Sequence, residues 1–229
     1  MKHSAVIFDL FGTLVDIFSA TEYREVLAAV AQAVGAPPEE FAATWRHGFD
    51  QRAVGAFGGV GGNIEHVARQ LGLQPTEEQL AEAARLRLAL TRRNLEPRPD
   101  AVETLSALRA AGRRIGLISD CTSEVPALWG ETPLAPLVDA AVFSSEVRLK
   151  KPDPAIYRLA CERLGVAPEQ CLYVGDGGSR ELSGAAAVGM TPVLIRAPYE
   201  VETDVHRIDG EEWEGLRVSA LREVLNLTG

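Results

Sequence analysis

Lysine is nearly missing from this 229-residue chain: of 23 basic residues, only Lys2, Lys150 and Lys151 are not arginine. A lysine in the chain interior therefore calls for a reason. Positive charge as a whole is also short, 23 residues against 32 acidic ones, for a formal net charge of −9. Such a balance argues against nucleic acid as a partner, because phosphate-backbone binders carry clustered excess Lys and Arg. Cysteine is scarce: Cys121, Cys161 and Cys171 form no CxxC pair and leave an odd count. That fits a reducing compartment better than a disulfide scaffold, and each thiol reads as a small buried hydrophobe. No apolar run approaches the roughly 18 residues needed to span a bilayer, and the first strand begins within a few residues of the N-terminus. The expectation is a soluble, cytoplasmic protein without membrane contact. Internal repeats, low-complexity tracts and heptads are absent too, so the length suggests one ordinary domain or two small ones.

What is present is a change of period along the chain. An apolar run, Ser4-Ala5-Val6-Ile7-Phe8, stops at Asp9 and turns through Gly12-Thr13. After Asp16 the pattern becomes helical. Ser19 and Glu22 have capping-box spacing, and Tyr23, Val26, Leu27, Val30 and Val34 recur at helical intervals. A second helix is expected after Pro37-Pro38 with Phe41, Trp45 and Phe49 on one side, then a glycine-rich loop over 55–62. A helix through Ile64, Val67 and Leu71 follows, then one opened by Thr76 and Gln79. From Pro97 onward the spacing predicts alternation: a helix over 100–111 with Val102, Leu105 and Leu108 inward, strands at 115–118, 140–143, 171–174 and 192–195, and helices at 154–164 and 181–188. Residues 216–218 and a final helix over 219–227 close the chain. Alternation of this kind implies a parallel sheet with helices on both faces.

Four segments fall at predicted strand ends, the edge where open α/β sheets do chemistry. They are Asp9 to Thr13, Ile118-Ser119-Asp120, Leu149 to Tyr157 with Lys150-Lys151-Pro152-Asp153-Pro154, and Tyr173-Val174-Gly175-Asp176-Gly177-Gly178-Ser179-Arg180-Glu181. Singly, each has a plain reading: an Asp after a strand is ordinarily a turn or cap residue, and Lys-Pro-Asp-Pro can be only a helix entry. Four such turns converging on one sheet edge favour a site.

In order, spacing and context the four segments resemble the motifs of the haloacid dehalogenase (HAD) superfamily over essentially the whole α/β part. The resemblance implies a Rossmann-like parallel sheet sandwiched by helices. Residues 1–16 and 96–229 would form the α/β core, and residues 17–95 an all-helical cap inserted after the first motif. It implies that Asp9 is the nucleophile and that Asp9 and Asp176 share Mg²⁺ with the backbone carbonyl of Phe11. Lys151 would neutralise the nucleophile and the transferring oxygens, Ser119 and Thr13 would donate hydrogen bonds, and Glu181 and Asp120 would support them. Positive charge and donors are what carboxylate attack on a phosphoryl group requires.

The pattern departs at one position. Family phosphatases follow DxDxT, and here Phe11 replaces the second aspartate, the group that protonates the leaving oxygen and activates water. Haloacid dehalogenases carry an aromatic residue there but use no metal, with Ser and Asn where this chain has Gly175-Asp176. The expectation is therefore Mg²⁺-dependent hydrolysis of a small-molecule phosphate ester through an aspartyl-phosphate on Asp9. The alternatives are a metal-independent 2-haloacid dehalogenase working through an aspartyl ester and a non-catalytic binding protein. Of the remaining residues, Arg46 and Arg52 are candidates to meet a substrate anion from the cap, against a background in which surface arginines are common. Residues 55–62 lack the Lys-Ser/Thr ending of a phosphate loop. His3, His47, His66 and His206 are scattered without ligand spacing, and Trp45, Trp129 and Trp213 read as packing anchors.

Overall fold

Six short apolar runs become six parallel strands in this computed structural model, which describes residues 3–199 and 213–228. They are β1 (Ala5–Phe8), β2 (Arg114–Ser119), β3 (Ala140–Phe143), β4 (Cys171–Gly175), β5 (Thr191–Ile195) and β6 (Leu216–Val218), paired in the order β3-β2-β1-β4-β5-β6. His206 lies outside the described residues. Alternation along each strand sends side chains to two cores. Val6, Phe8, Ile115, Leu117, Leu172 and Val174 pack on one face, while Ala5, Ile7, Cys171 and Tyr173 pack on the other. All three cysteines are buried and free.

Helices cover both faces. Against the first pack α6 (Ala101–Ala110), α7 (Glu124–Trp129) and a 3₁₀ segment, Leu221–Leu227; against the second pack α9 (Pro154–Leu164) and α10 (Glu181–Ala187). A four-residue helix, α8 (Ser144–Val147), follows β3. This is the expected Rossmann-like α/β architecture.

Between β1 and α6 the regular elements are all helices: α1 (Ala20–Ala33), α2 (Pro38–His47), α3 (Phe49–Ala53), α4 (Val60–Gln70) and α5 (Glu77–Asn94). Ser19 caps α1 by accepting from Glu22 N–H, and Thr76 and Gln79 close a capping box on α5. Leu27, Val30, Phe41, Trp45, Ile64 and Val67 form an apolar cluster of their own.

Some expectations are corrected. Val102 is exposed, because the inward stripe of α6 runs through Ala101, Thr104, Leu105 and Leu108, one residue out of phase with it. Phe49 leaves the Phe41–Trp45 face, because α2 stops at Gly48 and Phe49 opens α3, 43% exposed. The loop expected over 55–62 ends early, since Gly61 and Gly62 belong to the first turn of α4. The closing helix over 219–227 is the tighter 3₁₀ form and begins at Leu221.

Candidate active site

Strand register decides which side chains meet. Phe8 pairs with Val174, so the residues just past β1 and β4, Asp9 and Asp176, emerge side by side where the strand order reverses. Asp9 N–H donates to the Val174 carbonyl at 2.9 Å, which anchors the turn. One carboxylate oxygen from each of Asp9, Asp176 and Glu181 can be chosen so that all three lie within 4.8 Å of one another, and all three residues are buried.

Lys151 enters this cluster from the loop before α9. Its Nζ donates to Asp9 Oδ1 and Glu181 Oε2, each at 2.6 Å, and its side chain is 4% exposed. The Lys-Pro-Asp-Pro segment builds that entry. Asp153 caps α9 by accepting from Ala155 N–H at 2.9 Å, with Pro154 at the first helical position, and Lys151 N–H donates to Asp120 Oδ1 at 3.0 Å. The other interior lysine, Lys150, points outward to an ion pair with Asp50 of α3.

Glu181 begins α10 and is fully buried. It accepts from Tyr173 Oη at 2.8 Å and from Gly177 N–H at 2.9 Å, besides Lys151. Gly175 makes this possible: a Cβ there would overlap the Glu181 carboxylate. Thr13 Oγ1 and Ser119 Oγ are buried without a hydrogen-bond partner, as is Asp120 Oδ2. Both hydroxyls, in the turn after β1 and at the end of β2, thus remain able to donate. The Phe11 ring is half-buried and packs on Phe18 with centroids 4.9 Å apart.

The electrostatics follow from the count. Three buried carboxylates lie together, and one ammonium is bonded to two of them. Burial raises the Asp9 pKa to about 6; the Lys151 ammonium opposes the rise and Asp176 adds to it. Lys151 is held charged, well above its ordinary value, by Asp9 and Glu181 against the cost of burial.

Elsewhere the outcomes differ from residue to residue. Arg46 is exposed, whereas Arg52 is 1% exposed and is no surface arginine. Trp45 is buried, Trp129 packs on Phe143, and Trp213 Nε1 donates to the Leu216 carbonyl at 3.2 Å. His3 bonds Thr191 Oγ1 at 3.1 Å, and His66 stacks on Phe57. Sequence reasoning placed Tyr173 in the fourth segment without a role for its hydroxyl, and missed the buried pair Arg87–Glu124, at 2.9 Å, that joins α5 to α7. The one available signal was Arg87 lying on the Ala83–Leu90 buried stripe of α5.

The family model described as haloacid dehalogenase-like hydrolase matches residues 3–189. The chain is 28% identical over 197 residues to (S)-2-haloacid dehalogenase 4A of Burkholderia cepacia, covering 83% of this chain and 82% of that one. It is also 28% identical over 209 residues to a phosphoglycolate phosphatase of Shigella boydii, covering 85% and 81%. A HAD phosphatase from Thermococcus onnurineus superposes with a TM-score of 0.66 at 22% identity, over 99% of this chain and 98% of the other.

Proposed function

Because the chain belongs to the haloacid dehalogenase-like hydrolases, we propose that it hydrolyses a small-molecule phosphate ester with Mg²⁺ through an aspartyl-phosphate on Asp9. The observation that carries this reading is Asp176, a second buried carboxylate within 4.8 Å of Asp9 and Glu181. A buried cluster of three carboxylates with a nucleophile raised to about 6 suits a divalent cation. Asp9, Asp176 and the Phe11 carbonyl would hold it. Glu181 already accepts from three donors, Lys151 among them, and positions that lysine. When bound, Mg²⁺ screens the charge between the attacking carboxylate and the phosphoryl oxygens.

In this reading Asp9 attacks phosphorus, the ester oxygen departs with its bonding pair, and the phosphoryl group is carried on the carboxylate. Lys151, Thr13 and Ser119 meet the charge that develops on the transferring oxygens. Water then attacks the acyl phosphate and regenerates Asp9. Phe11 offers no proton to the departing oxygen, so good leaving groups (acyl, anomeric or aryl) are preferred over simple alkoxides. Residues 17–95 act as the cap over a core made of 1–16 and 96–229.

A second reading has its own observation. An aromatic ring beside the nucleophile suits loss of halide, which needs no proton, and two relatives are named as (S)-2-haloacid dehalogenases. Incubation with Mg²⁺ and beryllofluoride separates the readings: a stable aspartyl-phosphate mimic on Asp9 supports the phosphatase. Its absence together with EDTA-resistant halide release supports the dehalogenase, and its absence without any turnover supports a binding protein.

A further inference from the structure

The end of the sheet opposite Asp9 holds a cluster of the other charge. Four arginines, Arg109, Arg113, Arg114 and Arg163, and one acid, Asp139, line an open cleft of about 370 Å³ there. Topology brings them together. Gly112, at φ 72°, ends α6 in a left-handed turn and sends Arg113 and Arg114 into the start of β2. Asp139 directly precedes the neighbouring strand β3, and Arg163 lies in the last turn of α9. Because the strands are parallel, their starts are remote from the catalytic edge: Arg114 pairs with Ala5, which stands four residues, about 13 Å, before Asp9 along β1.

Main-chain carbonyls hold these guanidiniums in place. Arg109 Nη1 donates to Pro136 at 3.1 Å, Arg113 Nη1 to His3 at 2.6 Å, Arg163 Nη1 to Ala141 at 2.7 Å, and Arg114 Nη1 to Leu164 and Gly165. A carbonyl fixes the direction of a guanidinium without cancelling its charge. It also leaves the rest of each fork, among the described residues, to other acceptors. Arg113 is the buried member, 9% exposed, and its Nε has no partner. Asp139 is partly committed elsewhere, since its Oδ2 accepts from Ile115 N–H at 2.8 Å while Oδ1 lies 3.4 Å from Arg109. Four guanidiniums around one carboxylate repel one another, and an entering anion relieves that repulsion.

We propose that this cleft is a second ligand site, separate from the carboxylate cluster, and that it takes a diphosphate group, as inorganic diphosphate or as the end of a nucleotide. Its lining carries four positive charges and one negative, a formal excess of three. A phosphate monoester carries only about two negative charges at neutral pH, whereas two linked phosphoryl groups match the excess. Guanidinium forks also meet phosphate oxygens in pairs, through strong charge-assisted bonds. The lining offers no aromatic ring and one apolar side chain, Leu164, so the cleft reads the charged group rather than a base.

The test is calorimetric titration with inorganic diphosphate in EDTA, which keeps Mg²⁺ off both the ligand and the carboxylate cluster and needs no turnover. Diphosphate should bind at a single site, at least tenfold more tightly than phosphate, and its affinity should fall as salt rises. Arg109 and Arg163 are exposed, so the double variant Arg109→Gln with Arg163→Gln should keep the parental melting midpoint and weaken diphosphate at least tenfold. ADP, titrated in parallel, separates the two sources. Equal affinity identifies the diphosphate group alone, tighter ADP identifies a nucleotide, and either result supports the cleft. No diphosphate binding, or binding unchanged in the double variant, overturns the proposal. Affinity altered by Asp9→Asn would place the ligand at the catalytic edge and overturn it too. So would a poly-glutamate peptide binding where diphosphate does not, which would mark the cleft as a contact for an acidic protein.

Discussion

Phe11 and Asp9 are the two residues on which the chemistry turns. If Phe11 limits the enzyme to leaving groups that need no proton, Phe11→Asp should raise turnover of alkyl phosphates relative to aryl phosphates by about 10²-fold, the ordinary worth of a placed general acid. An unchanged alkyl-to-aryl ratio from steady-state assays would remove that explanation. Asp9 must be ionised to attack, and its pKa is raised to about 6. At limiting Mg²⁺, kcat/KM should therefore fall about tenfold per pH unit below that value, and saturating Mg²⁺ should move the limb to lower pH. The raised pKa also acts on stability. The folded state holds the Asp9 proton longer than the unfolded chain does, so ionisation weakens the fold as pH climbs from the ordinary 3.8 towards about 6. Mg²⁺ should accordingly raise the melting midpoint more at pH 7.5 than at pH 5, which a thermal-shift series measures.

Elements place these residues, and most elements were legible. Apolar runs bounded by Gly, Pro or an acid marked the strands to within a residue or two, and the Ser19 and Thr76 caps marked two helix starts. α7 and α8, of six and four residues, are too short for a helical period to register. Val102 was misread because a 3.6-residue period, sampled over one short helix, fits two neighbouring phases. Of the site, the polar residues at strand ends could be read. Tyr173, apolar by pattern and buried in β4, gave no hint that its hydroxyl holds Glu181. Arg87 and Glu124 stand 37 positions apart, a separation no local pattern spans. The turn from β4 to α10 is the element on which Lys151 depends. Gly175→Ala should push the Glu181 carboxylate aside and cost about 10–100-fold in kcat, in line with other positioning contacts. Wild-type kcat in a folded Gly175→Ala variant would show that Glu181 does not position the lysine.

At the scale of the whole molecule, the helical segment meets the sheet domain where α5 packs on α7. The join is pinned by Arg87–Glu124, with side chains 4% and 1% exposed. Removing one partner of such a pair strands the other. Glu124→Ala should cost about 3–5 kcal/mol in urea unfolding, and the double variant Arg87→Met with Glu124→Leu should cost less than the single one. Among the described residues no helix is long and apolar enough to cross a membrane. The most direct measurement of the central claim is product release from a panel of phosphate esters and 2-haloacids, with Mg²⁺ and then with EDTA. The account predicts inorganic phosphate released with Mg²⁺ and abolished by chelation and by Asp9→Asn. Halide release that survives EDTA, with no phosphate released from any ester, would contradict it.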